Sequence, residues 1–143
     1  MPHTSSQRQR RISVALWIVQ GLVAPLFLFA GGMKLVMPIA ALTAQAPLPG
    51  LFIRFIGVLE VVGALGLVLP ALLRLRPSLT PLAAAGLVIV MAGAVGATLT
   101  TGPAAPALVP VVVGVFLVFV AYGRWWLASQ HASVRPTVLR RAA

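Results

Sequence analysis

The chain has 143 residues, of which 60% are hydrophobic and 8% are charged, and its formal net charge is +10. So few charges cannot cover the surface of a soluble domain of this length, which indicates a lipid bilayer as the solvent and argues against a soluble enzyme. The absence of cysteine excludes disulfides and cysteine metal sites, and both histidines, His3 and His131, lie in the polar ends, so no haem or metal ligands are evident. The arginines lie beside apolar runs rather than in a nucleic-acid-binding module.

Four apolar segments follow one another along the chain, separated by residues that favour turns. They cover residues 12–36, 52–69, 79–99 and 108–127, and each is about 18 to 25 residues long, enough to cross a hydrocarbon core of about 30 Å. Backbone groups find no water in lipid, so each segment is predicted to be an α-helix. The sequence therefore predicts an all-α fold, an antiparallel four-helix bundle that is integral to the membrane.

Basic residues beside these segments predict their orientation. They occur before the first segment, between the second and third, and at or after the end of the fourth: Arg8, Arg10, Arg11, Arg74, Arg76, Arg124, Arg135, Arg140 and Arg141. The other two connections are uncharged, so the positive-inside rule places both termini in the cytoplasm and the protein in the cytoplasmic (inner) membrane. This divides the chain into a basic tail (1–11), a membrane bundle (12–127) and a second basic tail (128–143). The tails serve as topology determinants or also bind anionic lipid.

A basic N-terminus followed by an apolar run is also typical of a secretory signal peptide. The apolar run of this chain is longer than such a signal, and no small-x-small cleavage site precedes Gly31 and Gly32. We therefore expect the first segment to remain in the protein as a membrane span.

Glu60 is the only acidic residue of the chain, and it lies inside the second predicted span. A carboxylate at the centre of a membrane helix costs about 3 kcal/mol on insertion scales, so it needs a partner, a proton or a watery cavity. Lys34 and Arg54 are the candidate partners, since the other basic residues flank the spans. Side chains lean toward the N-terminus of their own helix, so Lys34 and Glu60 on antiparallel helices lean toward each other across a depth difference of about 10 Å.

A structural interpretation of the same residues is the alternative. Lys34 or Arg54 can extend to the headgroups, and Glu60 can be protonated and hydrogen-bonded to a neighbouring helix. Gln20 is a further polar residue of the first span, interpreted as structural. Small residues share helix faces with the charged ones, which predicts close helix packing with Glu60 toward the bundle interior; they are Gly31, Gly57, Gly63 and Ala64.

Two stretches of the chain resemble the DoxX-like family of small membrane proteins. Residues 27–35, FLFAGGMKL, resemble the F-x-x-x-G-x-x-K-L stretch that closes the first helix of that family, and residues 54–70 resemble its second helix. The resemblance extends over about residues 12–127. It implies a compact four-helix bundle in which the ligand-pocket or buried polar candidates are Lys34, Arg54 and Glu60.

The resemblance also implies a candidate function, because some relatives are described as membrane subunits of systems that pass electrons to quinone. In this hypothesis a polar pocket around Lys34 and Glu60 binds a small molecule or a quinone headgroup, and a redox partner protein transfers the electrons. The alternative is a non-enzymatic membrane bundle for transport or complex organisation, in which the ion pair is structural. The sequence assigns no catalytic residue, no cofactor beyond this candidate quinone and no oligomeric state.

Overall fold

The structure, a computed structural model, describes the backbone of residues 3–46, 48–73, 76 and 78–141 and, within these ranges, the side chains from Gln7 to Gln130. Several of the basic and histidine side chains named above lie outside this part of the chain: those of His3, Arg74, His131, Arg135, Arg140 and Arg141.

The described backbone is helical, without a β-strand. Four helices are long and apolar enough to cross a membrane, which confirms the predicted all-α membrane fold. The helices are α1 (His3–Val36), α2 (Ile39–Gln45), α3 (Gly50–Leu72), α4 (Leu79–Thr101) and α5 (Leu108–Arg141), with a short 3-10 turn at Ala105–Ala107 before α5.

Prolines mark several of the helix boundaries. Pro38 follows the end of α1, Pro49 directly precedes α3, and Pro103 follows the end of α4. Proline donates no backbone hydrogen bond, and it disfavours helical geometry in the residue before it. The chain therefore leaves one helix and enters the next close to these residues.

The helices differ from the predicted segments in two respects. The 38–51 connection, predicted as a loop, contains the short helix α2. In addition, α1 and α5 extend beyond residues 12 and 127, and Nε2 of Gln9 donates a 2.8 Å hydrogen bond to Oε1 of Gln130 between these extensions. Hydropathy marks where an apolar segment ends, whereas a helix continues through polar residues such as Gln and Arg that favour it.

The four long helices pack in a closed ring, in which α1 contacts α3, α3 contacts α4, α4 contacts α5, and α5 contacts α1. Adjacent helices in this ring are antiparallel. Between α1 and α3, for example, Gly31 faces Glu60 while Gln20 bonds to Leu67, so that residue numbers fall along α3 as they rise along α1. We call the end with the chain termini the terminal end, and the end with the 37–49 and 102–107 connections the distal end.

The bundle has an apolar interior and an apolar exterior. Its core includes Leu16, Phe27, Ala64, Leu67, Ala84, Leu87, Leu117 and Val120. Large apolar side chains also cover the outside; Leu22 and Phe29 are both 69% exposed and Ile89 is 74% exposed. Such a surface exceeds what a soluble monomer shows and is suited to lipid acyl chains.

Candidate functional site

Lys34 and Glu60 form a bidentate ion pair between α1 and α3. The Nζ atom of Lys34 lies 2.9 Å from Oε1 and 2.7 Å from Oε2 of Glu60. The Glu60 side chain is only 4% exposed, whereas that of Lys34 is 30% exposed. The predicted approach of the two side chains is therefore confirmed, and the pair reaches its surroundings through the lysine.

Two glycines set the depth at which these side chains meet. A Cβ added to Gly31 would lie 3.0 Å from Cβ of Glu60, and one added to Gly57 would lie 2.9 Å from Cβ of Lys34. The backbones of Lys34 and Glu60 thus differ in depth by about three residues, or about 4.5 Å, slightly less than one helical turn. The expected difference of about 10 Å was wrong because it assumed that α1 and α3 end level, whereas α3 begins more than a turn beyond the end of α1.

Arg54 lies beside the ion pair and does not join it. Its Nη2 atom is 3.5 Å from the carbonyl oxygen of Met37, and its buried Nε atom has no hydrogen-bond partner among the described residues. Since Arg54 precedes Gly57 by three residues, it lies about one turn distal to Lys34. The three charged residues form a cluster in which only Lys34 and Glu60 are paired.

Small residues on the Glu60 face of α3 also contact α4. A Cβ added to Gly63 would lie 2.6 Å from Cδ2 of Leu87, and Ala64 is fully buried. Neighbouring residues on one face of α3 therefore pack against two different helices, and the Glu60 side chain lies between these contacts, inside the bundle.

A second buried polar contact lies toward the terminal end. Gln20 is fully buried; its Nε2 atom donates a 2.6 Å hydrogen bond to the carbonyl oxygen of Leu67, and its Oε1 atom accepts hydrogen bonds from Nε of Arg124, at 3.0 Å, and from Nη2. The Arg124 guanidinium also lies 5.2 Å from the centre of a Trp17 ring. This contact joins α1, α3 and α5.

The sequence did not link Gln20 to Arg124. The available signal was a glutamine inside an apolar run, together with an arginine at the end of the last span. Nothing in that pattern indicates which helices are neighbours, so the pairing depends on the closed order of the bundle.

Two apolar grooves lie between α4 and α5, away from the charged cluster. One has a volume of about 680 Å³ and extends from Ser78 to Trp125, and the other has a volume of about 310 Å³ and lies near Met91 and Gly114. Apolar side chains line most of both grooves, which open on the outside of the bundle. Their composition and position suit acyl chains or apolar helices rather than a polar headgroup.

Four antiparallel apolar helices, two of which are joined by a part-buried ion pair, define a small multi-pass integral membrane protein. The sequence model of the DoxX-like family matches residues 18–120, well over half of the chain. The chain therefore belongs to the DoxX-like family, which confirms the resemblance seen in the sequence. The matched region contains Lys34, Arg54 and Glu60. No curated protein and no solved structure matches the chain.

Proposed function

We propose that this protein is a non-enzymatic membrane bundle that organises a larger complex, and that the Lys34–Glu60 pair joins α1 to α3. The observation that carries the structural role of the pair is the engagement of both Glu60 carboxylate oxygens by one ammonium group, with only 4% of the Glu60 side chain exposed. A buried carboxylate that already has a charged partner needs no ligand to compensate it. The close contact of Gly31 with Gly57 also leaves little space for a ligand beside the Lys34–Glu60 pair.

The outer face of α4 supports a role in assembly. Gly86 and Gly93 lie seven residues apart and so share a face, and a Cβ added to either would meet nothing within 4 Å. Small residues on an exposed membrane helix permit another helix to approach closely. We therefore place the contact with a partner subunit on the exposed face of α4.

A double-mutant cycle tests the structural role of the ion pair. We expect Lys34→Met to lower the free energy of unfolding by about 3 to 5 kcal/mol, because it leaves the buried Glu60 carboxylate unpaired. Glu60→Gln should lower it less, because the Lys34 side chain is 30% exposed, and the double variant should recover most of the larger loss. Thermal unfolding in detergent provides the measurement, with Gln9→Met as a polar-to-apolar control near the terminal end. Additive losses in the double variant would contradict this role.

The assembly role needs a separate measurement. Gly93→Leu should leave the isolated bundle stable and lower the amount of protein that co-purifies with it from native membranes. The double variant Lys34→Met/Glu60→Gln should retain these co-purifying proteins. Gly32→Leu on α1 is the control, since its added Cβ would also meet nothing within 4 Å. If Gly93→Leu and Gly32→Leu recover equal amounts of co-purifying proteins, the proposed contact of α4 with a partner subunit is wrong.

The second candidate function is that of the membrane subunit of a quinone-linked oxidoreductase. The observation that favours it is the 30% exposure of the Lys34 side chain, because an ammonium with one N–H free of Glu60 can donate to a quinone oxygen. A partner protein would then supply the electron carrier. The two candidate functions are distinguished by the rate of quinone reduction in membranes that contain the folded Lys34→Met/Glu60→Gln variant. An unchanged rate favours the structural role, and a lost rate favours the quinone site.

We also propose that both termini and the α3–α4 connection face the cytoplasm. The exposed side chains of Arg8, Arg10 and Arg11 at the terminal end support this orientation, as does Arg76, which is exposed in that connection. The orientation implies that the charged cluster of Lys34, Arg54 and Glu60 lies toward the opposite side of the membrane.

A further inference from the structure

We propose that Arg54 binds a phosphate-type oxyanion at the distal end of the bundle, with the phosphate of an anionic lipid headgroup as the main source. The site is distinct from the Lys34–Glu60 pair and does not depend on the assembly role proposed above.

The charge balance of the cluster supports this site. Glu60 is the only acidic side chain in the sequence, and both of its carboxylate oxygens are engaged by Lys34. Arg54 is half-buried and has the charge +1. No acidic side chain of this chain is left to neutralise it, so its counter-ion has to come from outside the chain.

The hydrogen bonds of the guanidinium support the same conclusion. It makes one hydrogen bond to the described residues, from Nη2 to the carbonyl oxygen of Met37, and this bond is 3.5 Å long, beyond the usual range of about 2.7 to 3.2 Å. The Nε atom is buried without a partner among the described residues, whereas Nη1 is neither bonded to them nor buried. The hydrogen bond to Met37 at the end of α1 therefore uses few of the N–H donors of the Arg54 guanidinium. N–H groups at the end of the side chain remain available for a ligand.

The position and chemistry of the tip fit an oxyanion. Arg54 lies in the second turn of α3, near the distal end of the bundle, where an apolar span gives way to the headgroup layer. A guanidinium presents two parallel N–H groups that match two oxygens of a phosphate, and such charge-assisted bonds are about twice as strong as neutral ones. An anionic headgroup supplies both the oxygens and the missing charge.

The test uses the full chain in nanodiscs with equal amounts of phosphatidylglycerol and phosphatidylcholine, followed by native mass spectrometry of the retained lipids. We expect the parent to retain phosphatidylglycerol preferentially, and Arg54→Gln to lower that preference about tenfold, the effect of one charge-assisted hydrogen bond. Arg54→Lys keeps the charge and loses the two parallel N–H groups of the guanidinium, so its preference for phosphatidylglycerol should be intermediate. Arg76→Gln removes an exposed arginine at the opposite end and should leave the preference unchanged.

A measurement on the parent alone keeps the test valid if Arg54→Gln does not fold. The modification of Arg54 by phenylglyoxal, followed by peptide mass spectrometry, should be several-fold slower with phosphatidylglycerol than with phosphatidylcholine. Protection by inorganic phosphate, but not by phosphatidylglycerol, would support the oxyanion site with a soluble ligand as its source. Equal modification under all three conditions would overturn the proposal, as would an unchanged lipid preference in folded Arg54→Gln together with no protection by inorganic phosphate.

Discussion

Gly31 of α1 and Gly57 of α3 face each other so closely that a Cβ on either one would lie 2.7 Å or 3.0 Å from the carbonyl oxygen of the other. Each glycine precedes a charged residue by three positions, Gly31 before Lys34 and Gly57 before Glu60. The same backbone contact that brings α1 and α3 together therefore determines where their charged side chains meet.

The glycine contact predicts a strong effect of one added methyl group. Gly57→Ala should lower the free energy of unfolding by about 1 to 3 kcal/mol, because the atoms that the new Cβ meets include a backbone oxygen that cannot turn aside. Gly32→Ala is the matched control, since its Cβ would meet nothing within 4 Å and alanine favours a helix. Reversible unfolding in mixed detergent measures both variants, and equal stability would refute the close contact.

The α3–α4 contact predicts a compensating pair. Gly63→Ala should be destabilising by about 1 to 3 kcal/mol because its Cβ would lie 2.6 Å from Cδ2 of the buried Leu87. Leu87→Ala is also destabilising, since it leaves a cavity. In the double variant the new methyl group occupies space that the leucine vacates. The loss of unfolding free energy in the double variant should therefore be smaller than the sum of the losses in the two single variants. The same unfolding assay tests this, and strict additivity would count against the contact.

The polar contact at the terminal end predicts different effects for two glutamines. Gln20→Met should lower the free energy of unfolding by about 1 to 3 kcal/mol, because it leaves the half-buried Arg124 guanidinium without its acceptor. Gln9→Met, which removes the less buried bond to Gln130, should have a smaller effect. Thermal unfolding of both variants measures the difference; a larger loss for Gln9→Met would be inconsistent with the central role of Gln20.

The proposed orientation predicts a labelling pattern. The chain has no cysteine, so Ser78→Cys in the α3–α4 connection and Gly102→Cys in the α4–α5 connection each introduce a single thiol at an exposed position. In intact cells a membrane-impermeant maleimide should label Gly102→Cys and not Ser78→Cys, and lysis should make both reactive. The reverse pattern would invert the orientation.

Much of the architecture follows from the sequence because the bilayer imposes a simple requirement. A segment such as 52–69 has to be apolar, helical and long enough to cross the hydrocarbon, and each of these properties is local. The sequence also narrowed the partner of Glu60 to Lys34 or Arg54, because so few cations occur within the spans. The short helix α2 was missed because seven residues between prolines carry no clear periodic signal.

The sequence by itself determined the four spans, the family and the need of Glu60 for a compensating group. Only the tertiary structure decided that Lys34 satisfies Glu60 while Arg54 is left unpaired, and that Gln20 joins Arg124 to Leu67. The physical reason is that apolarity and span length are properties of local sequence. The depth and partner of a buried polar group depend on how far one helix slides along another, which close contacts such as that of Gly31 with Gly57 determine only once the bundle has closed.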